Sequence, residues 1–130
     1  MTNNESGGLD GENGNESGGR EKLSIDDATY ILSSKRRRLA IDALSRDAPL
    51  TLRELADQAA ALEYDTSVSE LTGKERKRVK VSHTQTHLGE LEDAGIMGVG
   101  DRGPIERGPA FENAVDILQE LRNRCEVTEP

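Results

Sequence analysis

Bulky apolar residues are nearly absent from the first 22 positions, where only Leu9 follows Met1, and then recur in short periodic groups as far as Leu121. Ser24 opens the first group. Asp26 and Asp27 sit in its opening turn, with Tyr30, Ile31 and Leu32 behind them, which predicts a short helix. Ser33 or Ser34 caps a second helix that turns Leu39, Ala40, Ala43 and Leu44 inward and fades near 46–49. Thr51 and Glu54 form a capping box, after which Leu52, Leu55, Ala56 and Ala59 recur at helical spacing, with Leu62 at the end.

Tyr64 to Leu71 reads as a polar connector with a partial turn. Thr72 and Glu75 make a second capping box, which opens a long helix over 73–94 that closes at Gly95. Its expected inward stripe is Val81, Thr84, Leu88 and Leu91, with Ala94 at the end. Ile96 to Val99 and Ile105 to Arg107 predict two short strands, joined by a turn at Asp101-Arg102-Gly103. Pro109 leads into a last helix whose Phe111, Ala114 or Val115, Leu118 and Leu121 keep coiled-coil spacing.

The expected fold is therefore mainly α with a small β-hairpin wing, the winged helix–turn–helix plan. Residues 1–22 form an acidic tail rich in Gly, Ser and Asn, in which Asn4-Glu5-Ser6-Gly7-Gly8 recurs as Asn15-Glu16-Ser17-Gly18-Gly19. Too little apolar surface is available there to offset ordering entropy, so disorder is expected. Residues 23–108 make the winged-helix domain, 109–125 the C-terminal helix, and 126–130 a flexible end.

Composition narrows the picture further. At 130 residues, one core is what the chain can build, and with three aromatic residues (Tyr30, Tyr64, Phe111) that core must be aliphatic. No apolar run approaches the roughly 18 residues of a membrane span. The first residues also lack a basic-then-apolar signal, so a soluble, cytoplasmic protein is expected. The single Cys125 excludes an intramolecular disulfide and a cysteine-cluster metal site.

The net charge of −8 argues against a polyanionic partner until its distribution is considered. Seven acids against two bases fall in the first thirty residues, whereas Lys35, Arg36, Arg37 and Arg38 run together, and Lys74, Arg76, Lys77, Arg78 and Lys80 crowd a second stretch. Local patches decide whether a polyanion is attracted. Both runs fall in the opening turns of helices, where the macrodipole makes each exposed cation unfavourable by about 0.3–1 kcal/mol. An anion that meets the free N–H groups and the cations together gains from both. DNA phosphate is the expected anion.

On the long helix, Lys74, Arg78, Ser82 and Gln85 share a stripe, with Thr86 farther round. Two cations, a hydroxyl and an amide suit phosphate and base edges, and they lie in the part of a recognition helix that enters the major groove. Arg102 at the hairpin tip suits a minor groove or a phosphate. Lys35, Arg36, Arg37 and Arg38 suit a backbone clamp. Phe111, Ala114, Val115, Leu118 and Leu121 are the expected dimer seam, since two-fold symmetry matches DNA half-sites.

His83 and His87 stand four apart, a spacing for two metal ligands, but the sequence offers no evident third, so no metal and no cofactor is expected. Cys125 reads as a bystander thiol rather than a redox sensor. No Gly-rich phosphate loop or nucleophile elbow is present, and an enzyme is not expected.

From about Ile31 to Ile105 the chain resembles a family of haloarchaeal winged-helix domains of unknown function, often labelled predicted transcription regulators. The resemblance is carried by Leu32-Ser33-Ser34-Lys35-Arg36-Arg37-Arg38, Thr51-Leu52-Arg53-Glu54-Leu55-Ala56, Glu75-Arg76-Lys77-Arg78-Val79, Gln85-Thr86-His87-Leu88 and Leu91-Glu92-Asp93-Ala94-Gly95-Ile96. It implies the fold and a salt-adapted cytoplasmic setting, and it implies no ligand or target. His83 and Thr84 depart from the family pattern, and the connector from Tyr64 to Leu71 exceeds a compact turn. The leading expectation is a DNA-binding transcriptional regulator acting as a dimer on double-stranded DNA. The alternative is a winged-helix module that contacts another protein.

Overall fold

Helix α1 (Ile25–Leu32) begins where Ser24 Oγ accepts the Asp27 amide at 3.0 Å, and its first-turn acids suit the positive end of the helix dipole. Helix α2 (Lys35–Arg46) follows a Ser34 cap and buries Leu39, Ala40, Ile41, Ala43 and Leu44. So broad an apolar surface makes α2 the central helix, flanked by α1, α3 and the last helix. These observations come from a computed structural model that describes residues 21–100 and 103–126. The tail expected to be disordered lies outside these residues up to position 20, as does the flexible end from 127.

Helix α3 (Leu52–Glu63) carries both bonds of its expected capping box, 2.9 and 3.0 Å long. It buries Leu55, Ala56, Ala59 and Ala60. The alanines let neighbouring helices approach closely, so Leu39, Leu71 and Val79 close over Ala59 and Ala60 as one apolar cluster. The connector turns through Asp65 at φ +53° and a single 3-10 turn over Val68–Glu70, and its last residue, Leu71, is buried.

Helix α4 (Gly73–Ser82) starts at the second capping box, with bonds of 2.9 and 3.1 Å. It continues through a π turn over His83–His87 into α5 (Leu88–Asp93). Helical dihedrals at Ser82, His83, His87 and Leu88 carry the axis across both junctions. Gly95 at φ +78° ends the run in a Schellman motif: Ile96 N–H donates to Leu91 C=O and Gly95 N–H to Glu92 C=O, each at 3.0 Å.

The expected inward stripe of this long helix is corrected. Val81 is 41% exposed and Thr84 is exposed, whereas Val79, His83 and Leu91 are buried. The π turn accounts for the difference. Leu88 N–H donates to His83 C=O, five residues back, so the turn holds one residue more than an α-turn and shifts the later phase by about 100°. Leu91 thereby comes into line with Val79 and His83.

Strands β1 (Met97–Val99) and β2 (Ile105–Arg107) pair antiparallel, with Val99 opposite Ile105 and Met97 opposite Arg107. Ile96, expected to begin the first strand, instead closes the Schellman motif. The strands are joined around Gly103 at φ +88°, whose N–H donates to Gly100 C=O at 2.9 Å. Positions 101 and 102 of the expected turn, Arg102 included, lie outside the described residues. Leu50 adds an isolated bridge to Ile105, exchanging both backbone bonds with it, so the hairpin is tied to the α2–α3 junction.

Helix α6 (Phe111–Arg124) folds back on α1 and α2, and Arg122 grips Asp42 of α2 with two bonds of 3.0 and 2.9 Å. Phe111, Ala114 and Leu118 are buried in the monomer's own main core beside Leu44, Leu91 and Ile96. They are therefore unavailable as a dimer seam, because this single core needs their apolar area. Val115 packs partly against the same core, and Leu121 is 42% exposed. The molecule is mainly helical with a small two-stranded hairpin, compatible with a winged helix-like fold. Among the described residues no helix is long and apolar enough to cross a membrane.

Candidate nucleic-acid interface

The two basic runs look alike in sequence and have different surroundings in the structure. In the first, Arg36 meets Glu63 of α3 with two bonds of 2.9 Å. Arg37 is buried; its guanidinium donates to Ile31 C=O at 2.8 Å, Tyr30 C=O at 2.6 Å and the Glu90 carboxylate at 2.8 Å. It also lies over the Tyr30 ring, 4.6 Å from its centroid, and the Tyr30 hydroxyl itself donates to Glu90. Arg38 donates to Leu32 C=O at 2.6 Å.

Arg37 and Arg38 open α2, but they also finish α1. The last carbonyls of a helix have no partner within it, and cations there are favourable. Tyr30, Ile31 and Leu32 contribute those carbonyls. Arg37 is thus corrected from a DNA clamp to part of the folded frame, since it is buried with its guanidinium engaged, while Arg36 and Arg38 are half-buried and spend donors on Glu63 and on the Leu32 carbonyl. Lys35 alone of that run stands exposed.

The second run keeps most of its charge at the surface. Arg76 is drawn to Asp57 of α3 and to Val68 C=O, both at 2.8 Å. Lys74, Lys77, Arg78 and Lys80 are exposed, and none of their side chains has a hydrogen bond or ion pair among the described residues. With about 100° per residue, Lys74, Lys77, Arg78 and Val81 gather on the side of α4 opposite the buried Val79 and His83. Glu75, the one acid in the first turn, is folded back onto Thr72 N–H. The strip is accordingly positive, and Val81 supplies a methyl-bearing surface within it.

Of the residues expected on this face, Lys74, Arg78, Gln85 and Thr86 are exposed and Ser82 is half-buried. Helical spacing alone leaves Lys77 and Val81 off the site, because it turns Val81 inward. The alternative i,i+4 pair Val79 and His83 is the signal that would have put both on the outer face.

Behind the strip the helix is held by a polar cluster. His83 is fully buried, and neither ring nitrogen has a hydrogen-bond partner. Burial lowers its pKa to about 4, with the nearby His87 and Arg36 charges acting in the same direction and Glu63 opposing them. His87 is lowered too, by burial first and then by Arg37, whose Nη1 lies 3.3 Å from its Nδ1. The two rings meet edge to face with centroids 5.6 Å apart. Among the described residues no group of three or more His, Cys, Asp or Glu side chains could hold a metal. Cys125 is exposed at the end of α6.

The family described as a domain of unknown function (DUF7344) matches residues 29–102. The chain belongs to the DUF7344 family. The DUF7344 span runs from within α1 through α5 and β1 into the wing turn, so it holds both basic runs and the polar cluster, and it omits α6. No curated protein and no solved structure matches the chain.

Proposed function

We propose that this protein is a DNA-binding transcriptional regulator of the winged-helix type, with the exposed strip of α4 entering the major groove. The observation that carries this reading is the contrast between the two runs. Folding uses Arg36, Arg37, Arg38 and Arg76, but it leaves Lys74, Lys77, Arg78 and Lys80 together on one helix. Lys74 lies in the first turn, where the dipole disfavours it, so an external anion is the partner that rewards it. Lys74, Lys77 and Lys80 act on phosphates, Arg78 and Gln85 on base edges, and Val81 on a thymine methyl.

The regulator acts as a homodimer on paired half-sites, with the exposed Leu121 of α6 as its remaining apolar contribution to a seam. Its setting is a haloarchaeal cytoplasm, which suits the charge of −8 and the mean hydropathy of −0.70. At molar salt the Debye length is about 3 Å, so recognition there depends on direct contacts.

Selection of bound fragments from a genomic pool at high salt tests the proposal. A recurrent sequence is expected, with Arg78→Ala and Gln85→Ala weakening it at particular bases and Lys77→Ala weakening all fragments evenly. Equal recovery by wild type and all three variants would contradict it.

A second reading, a protein-contact module, is favoured by the mainly apolar hollow of about 160 Å³ between the wing, α3 and α5, lined by Leu52, Leu88, Glu92, Met97, Val99 and Ile105. A stoichiometric protein partner retained after nuclease treatment, and lost in Val99→Asp, would support that reading instead.

A further inference from the structure

We propose that the acidic segment before Glu21 docks on the exposed cationic strip of α4 and competes there with DNA; the competition, though not the docking, rests on the function proposed above. Charge selects the surface. Glu5, Asp10, Glu12 and Glu16 precede Glu21, against the single base Arg20. Elsewhere on the described surface Arg36, Arg122 and Arg124 already hold carboxylates, and exposed cations without such a partner, Lys22, Lys35, Arg46 and Arg53 among them, are spread singly along the sequence. Lys74, Lys77, Arg78 and Lys80 offer four unmatched cations within seven positions, the densest such group. Their backbone surroundings favour an anion as well, because the strip begins in the first turn of a helix.

The point of departure makes the contact reachable. Glu21 N–H donates to Pro109 C=O at 3.1 Å and Leu23 N–H to Asn113 Oδ1 at 2.7 Å, which pins the chain to the start of α6. The Glu21 carboxylate lies close to Gly95, at the C-terminal end of the helix that carries the strip. From Gly95 back to Arg78 is roughly 25 Å along the helix axis. At about 3.3 Å per residue Glu12 can lie up to about 30 Å from Glu21 and Glu5 up to about 53 Å, so Glu5, Asp10 and Glu12 reach the strip, whereas Glu16, five residues out, does not reach Arg78. A tethered competitor acts at an effective concentration that can approach the millimolar range whatever the protein concentration. It is also self-limiting in salt, since the Debye length falls from about 10 Å at 0.1 M to about 3 Å at 1 M.

Two full-length proteins test this. In the first, Ser6→Cys with Cys125→Ser carries a nitroxide label at position 6. The second adds Glu5→Gln, Asp10→Asn, Glu12→Gln and Glu16→Gln. At 0.1 M salt the first should broaden the amide signals of Lys74 to Val81 several-fold more than those of Arg46 or Leu121, and the second should not. Without the label, the neutralised tail should tighten binding to a random-sequence duplex about tenfold at 0.1 M salt and leave it unchanged at 1 M. Broadening absent from α4, or spread evenly over the surface, overturns the docking even if DNA affinity rises. Broadening on α4 with no duplex bound by either protein supports the docking and removes the competition together with the DNA reading.

Discussion

The amide of Leu88 donates to the carbonyl of His83, five residues away, and this bond sets which side of the long helix faces the core. Val79 and His83 lie on one side of α4. In an unbroken α-helix Leu91 would sit about 80–120° away from them. The extra residue in the turn brings Leu91 back beneath them, and it leaves Lys74, Lys77, Arg78 and Val81 pointing outward. A π turn of this kind is equivalent to a one-residue insertion in an α-helix.

Removing that residue should therefore be tolerated. A protein lacking Thr86, which is exposed within the turn, is expected to fold with a regular helix and a stability loss below about 2 kcal/mol. Deleting Ala56 from the regular α3 should instead put Leu55 and Ala59 out of register and abolish cooperative folding. Urea titration followed by circular dichroism distinguishes the two. Loss of cooperative unfolding in the Thr86 deletion would refute the equivalence.

The buried His83 should make stability depend on pH. Its ring titrates near 6.5 when unfolded and at about 4 in the folded protein. Between these values the unfolded chain binds a proton that the folded protein does not. Stability should thus be lost as pH falls from about 6.5 to about 4 and then level off, by an amount on the order of 3 kcal/mol. His83→Leu should remove most of this slope and be no less stable at pH 7, since it discards two unpaired ring nitrogens. Urea midpoints of both proteins from pH 7.5 to 4.5 give the comparison, because carboxylate titrations are common to the two. Equal slopes would contradict the assignment.

Arg37 should matter for folding and not for the charged surface. Arg37→Leu strips Glu90 of its ion partner, takes the guanidinium donor from the Ile31 carbonyl and leaves the Tyr30 carbonyl to Ser33 alone, at a cost of roughly 3–5 kcal/mol. Arg37→Lys should recover only part of this, because an ammonium cannot span the fork of acceptors. Denaturant unfolding measures both. A change within about 0.5 kcal/mol for either variant would show the site to be an ordinary surface position.

Much of the fold was legible from local rules. Thr51 with Glu54 and Thr72 with Glu75 announce two helix starts, and Gly95 announces a stop, because each satisfies orphan backbone groups within a few residues. Three things were hidden, and all are tertiary. The π turn has no local signature, so periodicity assigned Val81 and Thr84 to the core. The arginines after Ser34 read as a misplaced charge until α1 ends against them and needs its carbonyls capped. The spacing of Phe111, Ala114 and Leu118 is the same for a dimer seam as for a core, and only the position of α6 on α2 decides. In the candidate site Lys74, Arg78 and Gln85 were accessible to spacing arguments, while Lys77 required the true phase of the helix.

The role of α6 can be separated from dimerisation by concentration. Phe111→Ala should cost about 3–5 kcal/mol through the cavity it leaves in the core, equally at 1 and 100 µM protein. A loss that shrinks as protein concentration rises would place Phe111 in an intersubunit contact.

The most direct measurement is an amide NMR titration of the full chain with a short duplex at moderate salt. The account predicts that the first and largest shifts fall on Lys74 to Ser82 and on Gln85, with those of Arg37 and Leu118 small. Shifts confined to α6 or to the apolar hollow beside Val99, or no shifts at all, would contradict it.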